Sequence, residues 1–150
     1  MIKTKNNMEQ FTKNFSYDEL IASSTAKRLG LDNTPNEKEK EKLRELAETI
    51  LQPIRDSWKS PIIVNSAFRS EAVNKAVGGV KNSQHRLGEA ADITIGGKER
   101  NRKLFNFIQK LIQKGDIYVG QLIDEYNYSW IHVSLPRTNG KPNNQILHLK

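Results

Sequence analysis

The chain has no cysteine, which excludes disulfide staples, thiolate metal sites and cysteine nucleophiles. It has no apolar run approaching the ~20 residues needed to cross a bilayer, so membrane insertion is not expected. Aromatic residues make up only 7% of its 150 residues, and there are just three histidines. The start, Met1-Ile2-Lys3-Thr4-Lys5-Asn6-Asn7, is basic but leads into no apolar h-region. A secretory signal peptide is therefore not expected, and synthesis in the cytoplasm is. With thiolates excluded, any protein-held metal must rest on His, Asp or Glu.

What is present describes a soluble domain with a polar surface. Apolar residues account for 36% and charged residues for 27%. The net charge of +7 predicts attraction to polyanions, either nucleic acid or an anionic wall polymer. Lys and Arg are dispersed and no nucleic-acid motif is found, so nucleic acid is not expected as a partner. Residues 1–14 are Lys/Asn-rich and expected to be a flexible N-terminus, with a single domain over 15–150.

The elements follow from caps and periodicity. Ser16-Tyr17-Asp18-Glu19 reads as a capping box before a short helix. Ser23–Gly30 is turn-like, with a helical turn at Ala26–Leu29. Pro35 opens the longest helix, and Leu43, Leu46, Ala47, Ile50, Leu51, Ile54 and Trp58 form one stripe along it. Pro53 should kink that helix. Strands are expected at Ile62–Val64, Ala90–Ile95, Tyr118–Tyr126 and Trp130–Leu135, with an edge strand at Gln145–Leu149. A short helix is expected at Glu71–Ala76 and a second amphipathic helix at Glu99–Lys114. Helices first and strands later make an α+β domain with a mostly antiparallel sheet flanked by helices.

One stretch concentrates the chemistry: Ser83-Gln84-His85-Arg86-Leu87-Gly88-Glu89-Ala90-Ala91-Asp92. Its small residues let the backbone turn tightly between His85 and Asp92. His132, in Trp130-Ile131-His132-Val133-Ser134, would come from a neighbouring strand. Two His and one Asp form an open-sided ligand set that leaves a position for water. On spacing alone, a hydrogen-bonded His–Asp pair is the more common outcome. His148 near the C-terminus reads as a strand-edge residue.

Ser83-x-His85-x-x-Gly88-x-Ala90-x-Asp92 with Trp130-x-His132 resembles the zinc D-Ala-D-Ala peptidases, including their small phage and prophage endolysin-like members. Ser66-Ala67-Phe68-Arg69-Ser70, Asn74–Gly79, Gln121-Leu122-Ile123 and Phe15-x-x-x-Glu19-Leu20 extend the likeness over residues 15–136. The resemblance implies the hedgehog/DD-peptidase fold and a Zn2+ ion on His85, Asp92 and His132. It implies hydrolysis of peptidoglycan amides next to D-amino acids, as a carboxypeptidase or an endopeptidase, by a monomer. It also implies action at the cell wall after phage-type release. Arg69 would hold a substrate carboxylate or the oxyanion, and Ser83 and Gln84 could bind substrate. Some relatives carry the proton-handling acid three residues before the second histidine, where this chain has Ser129. Glu125 or, as the alternative, Asp124 must then serve, and strand alternation lets only one of them face the metal. A non-catalytic, zinc-stabilised wall-binding module is the alternative function.

Overall fold

The computed structural model describes residues 9–150. Its first helices start where side chains satisfy the free amides of a first turn. Ser16 Oγ accepts from the Glu19 amide while Glu19 reaches back, and α1 (Tyr17–Ile21) begins there. Ser23 caps α2 (Ser24–Leu29), which is longer than the turn expected at Ala26–Leu29 and closes on Gly30. Helix α3 (Glu37–Leu46) uses Asn36 as its cap, in a second capping box with Glu39. Pro35 therefore lies ahead of the helix and not in its first turn.

Pro53 does not break the long helix. The chain passes from α3 through a π-turn at Ala47–Leu51 into α4 (Gln52–Trp58). Pro53 has no amide hydrogen to offer the Thr49 carbonyl, and its ring crowds that oxygen. Widening the preceding turn, with the Gln52 amide on the Ala47 carbonyl, absorbs the misfit. The apolar stripe survives the adjustment: Leu43, Leu46, Ala47, Ile50, Leu51 and Ile54 are all buried.

The flexible segment expected over residues 1–14 lies, for residues 1–8, outside the described residues. Within Glu9–Asn14, Gln10, Lys13 and Asn14 are exposed, while the others make contacts. Phe11 is buried and meets Tyr17 edge-on. The Glu9 carboxylate lies 2.8 Å from both Lys40 Nζ and Arg44 Nη2, and Gln10 pairs with Ser16. Phe11 and Glu9 thus tie the end of this segment to α1 and α3.

Among the described residues, five strands form one sheet in the order β1-β2-β4-β3-β5. They are Ile63–Ser66 (β1), Ala90–Thr94 (β2), Gln121–Glu125 (β3), Trp130–Ser134 (β4) and Gln145–Leu149 (β5). All neighbours are antiparallel except β3 and β5, which run parallel. The fold is thus α+β with a mostly antiparallel sheet, as expected. Alternation divides the sheet into two faces. Ala91, Ile93, Leu122, Ile131 and Val133 join the α3–α4 stripe and Leu104, Phe105 and Ile108 of helix α6 (Lys98–Gln113) in the core. The intervening residues point to the other face, where helix α5 (Glu71–Ala76) and the loop after it flank a cleft.

Candidate metal centre

The site is built on register. In the antiparallel ladder, Ser66 is opposite Asp92, Asp92 opposite His132, and His132 opposite Ile123. A bulge between Val64 and Ser66 brings β1 into this row. Side chains directly across such a ladder share one face, so Asp92 and His132 project together without any help from the loops. His85 comes from a 3-10 turn, Gln84–Leu87, whose first free amide is accepted by Ser83 Oγ at 3.1 Å.

That turn closes on Gly88 at φ 75°, against the backbone of α3. A Cβ there would stand 2.5 Å from the Glu39 carbonyl oxygen. Gly88→Ala should therefore cost about 1–2 kcal/mol for the left-handed conformation and about 1–3 kcal/mol for the clash. A urea-unfolding midpoint equal to that of the wild type would show that the turn can shift freely.

The three side chains are buried, and their ligand atoms lie within 4.8 Å of one another. His85 Nδ1 is 2.7 Å from the Ala67 carbonyl oxygen. A carbonyl only accepts, so Nδ1 carries the hydrogen, and Nε2 of the neutral ring presents a lone pair. That Nε2 is 3.3 Å from Asp92 Oδ1, and His132 Nδ1 is 3.1 Å from the same oxygen. The His85 lone pair facing a carboxylate calls for a positive charge between them, either a proton or a metal ion. Two ligands about 2.0–2.1 Å from one tetrahedral ion stand about 3.3 Å apart, so the donor set fits a metal. Burial alone would raise the Asp92 carboxyl. With a proton standing in that place, the His85 charge and hydrogen bonds from both imidazoles outweigh burial and hold it well below the usual carboxylate range.

The group opens into a cleft of about 1040 Å³ lined by residues from every strand. Arg69 reaches this cleft. Burial pulls its guanidinium below the ordinary value, and the charges of Asp92 and Glu125 oppose that pull. The two candidate acids part ways by alternation. Glu125 lies on the cleft face, whereas Asp124 is buried on the helix-covered face. There Asp124 Oδ1 accepts the Tyr128 amide at 2.6 Å, and Oδ2 lies 3.0 Å from His148 Nδ1. Ser83 and Gln84 both line the cleft, and each also makes contacts within the fold. Ser83 caps the turn, and Gln84 donates to Glu89 and to the Leu135 carbonyl at 3.1 Å each. Ser129 Oγ donates to the Tyr126 carbonyl in the hairpin turn.

Three contributors were not legible in the sequence. The Ala67 carbonyl that orients His85 is a backbone atom and carries no residue signal. Asn33 ties the Arg69 loop down: its amide donates to the carbonyls of Ile21 and Phe68, and its oxygen accepts from Ser70. Trp130 donates its indole N–H to Glu125, a pairing set by the β3–β4 register and not by any local pattern.

The zinc D-Ala-D-Ala carboxypeptidase of Streptomyces albus G is 45% identical over 49 residues, 32% of this chain. The matched stretch is only 19% of that relative's length. A family model described as Peptidase M15 matches residues 13–134. That span takes in β1 to β4 and every converging side chain, and on its extent the chain belongs to the peptidase M15 family.

Proposed function

We propose that the protein is a zinc-dependent endopeptidase that hydrolyses an internal amide beside a D-amino acid in peptidoglycan peptides. The observation that carries this reading is the place of the His85–Asp92–His132 group within the cleft. Cleft residues come from all five strands, and four inter-strand gaps of about 4.8 Å make a crossing of about 19 Å. An extended peptide advances about 3.3 Å per residue, so about five or six residues fit. The group sits between the second and third strands of the order, with β3 and β5 on one side and β1 on the other. That placement supports cutting within a chain over trimming its end. The name of the Streptomyces relative supports bonds next to D-alanine, and the +7 charge fits an anionic wall reached by phage-type release.

His85, Asp92 and His132 would hold the zinc, which supplies Lewis-acid polarisation of a water and of the scissile carbonyl. Glu125 accepts the water's proton and passes it to the leaving amine nitrogen. Arg69 directs its guanidinium at the developing oxyanion. The buried Ala67 carbonyl keeps the His85 tautomer fixed throughout.

Cross-linked peptidoglycan incubated with the zinc-loaded protein is expected to gain free amino groups at its cross-links and to lose turbidity. A chelator should stop both. Release of free D-alanine alone would make the protein a carboxypeptidase. Tight wall binding with no zinc-dependent hydrolysis would favour the non-catalytic wall-binding module.

A further inference from the structure

We infer that Trp130 is a positioning residue for Glu125: its indole N–H fixes one carboxylate oxygen and leaves the other free to handle the proton. The inference rests on the reading of Glu125 as proton acceptor. Glu125 and Trp130 face each other across the β3–β4 ladder, both on the cleft side. Trp130 Nε1 donates to Glu125 Oε1 at 2.6 Å. The Tyr126 ring packs edge-on against the indole, with centroids 5.2 Å apart at 63°.

The hairpin that aims this pair is held in an uncommon shape. Tyr126, Asn127 and Tyr128 have φ of 57°, 58° and 63°, three successive left-handed residues without a glycine. Asp124 accepts the Tyr128 amide, Leu149 accepts the Tyr126 amide at 2.8 Å, and Asn101 donates to the carbonyls of Tyr128 and Ser129. A conformation this unfavourable persists because its surroundings over-determine it, and Glu125 and Trp130 stand at its base. The choice of donor suits the task. An indole N–H only donates, so it can hold a carboxylate without competing for the proton that the carboxylate must carry. A glutamate at a strand end otherwise samples several rotamers, and fixing one removes a cost from the reactive geometry.

Trp130→Phe keeps an aromatic ring against Tyr126 and deletes only the donor. Its kcat is expected to fall about 10- to 100-fold, the range seen for residues that orient a catalytic group. KM should stay within about two-fold, because no ground-state contact is lost. Metal content should be unchanged. In a Glu125→Gln background the same substitution should have no further effect, since its route to the reaction is already cut. The indole proton of Trp130, assigned by its disappearance in Trp130→Phe, should shift in the NMR spectrum of Glu125→Gln. Wild-type kcat in Trp130→Phe, equal losses in both backgrounds, or an unmoved indole signal would each overturn the proposal. A fully active Glu125→Gln would overturn the base assignment itself and the proposal with it, even where the indole signal shifts.

Discussion

Glu125→Gln is expected to lower kcat by about 100- to 10,000-fold, the usual worth of a positioned proton acceptor, with one metal still bound per chain. Glutamine keeps the side-chain volume and an oxygen for the Trp130 N–H, so the cleft should retain its shape. Asp124→Asn, one residue away, should behave in the opposite manner. Asp124 is buried behind the sheet, where it meets His148, and is not among the cleft residues. Its loss should appear as about 1–3 kcal/mol of stability, because a buried charge-assisted contact is weakened, with turnover nearly unchanged. Measuring kcat, bound metal and the denaturant midpoint for both variants separates the two residues. An inactive but fully folded, metal-loaded Asp124→Asn would reverse the assignment.

That contrast also marks how far the sequence could be read. The requirement that only one of Asp124 and Glu125 face the metal follows from strand alternation, and the structure obeys it. Which one does so depends on the phase of β3 against β4, set by pairing Ile123 with His132. Nothing in the stretch Gln121–Glu125 states that phase, since Leu122 and Ile123 are both apolar. The strand at Gln145–Leu149 was legible as an edge strand, with the same bounds. Its parallel pairing with β3 was not, because a partner 24 residues away leaves no local pattern. The capping box at Ser16 is read from the sequence, whereas the one at Asn36 is passed over in favour of Pro35 as the helix start. Pro53 was legible as a disturbance but not as a π-turn, since the missing amide states that a hydrogen bond is lost and not how the turn before it adjusts. The His85–Asp92–His132 set became convincing only through the other blocks that resemble zinc D-Ala-D-Ala peptidases. Seven-residue spacing from a 3-10 turn into a strand does not by itself place two side chains 3.3 Å apart.

Asp92→Ala is expected to abolish metal binding and bring hydrolysis to background. Asp92 Oδ1 is the atom both imidazoles approach, so removing it leaves two neutral donors with no anionic partner. The effect should be as plain in stability as in activity. A ligand bound only to the folded chain at 1,000 times its Kd contributes about 4.1 kcal/mol. For a chain of this size each kcal/mol moves Tm by roughly 2–4 °C, so saturating zinc should raise the wild-type Tm by roughly 8–16 °C. Asp92→Ala should lose that rise and show one Tm with and without zinc. Asp92→Asn is the stricter version, because it keeps the shape of the site and removes only its negative charge. Thermal scans of all three proteins with zinc, with magnesium and with chelator distinguish occupancy of this site from general ionic effects. A zinc-dependent rise that persists at full size in Asp92→Ala would place the metal elsewhere on the chain and detach the cleft from it.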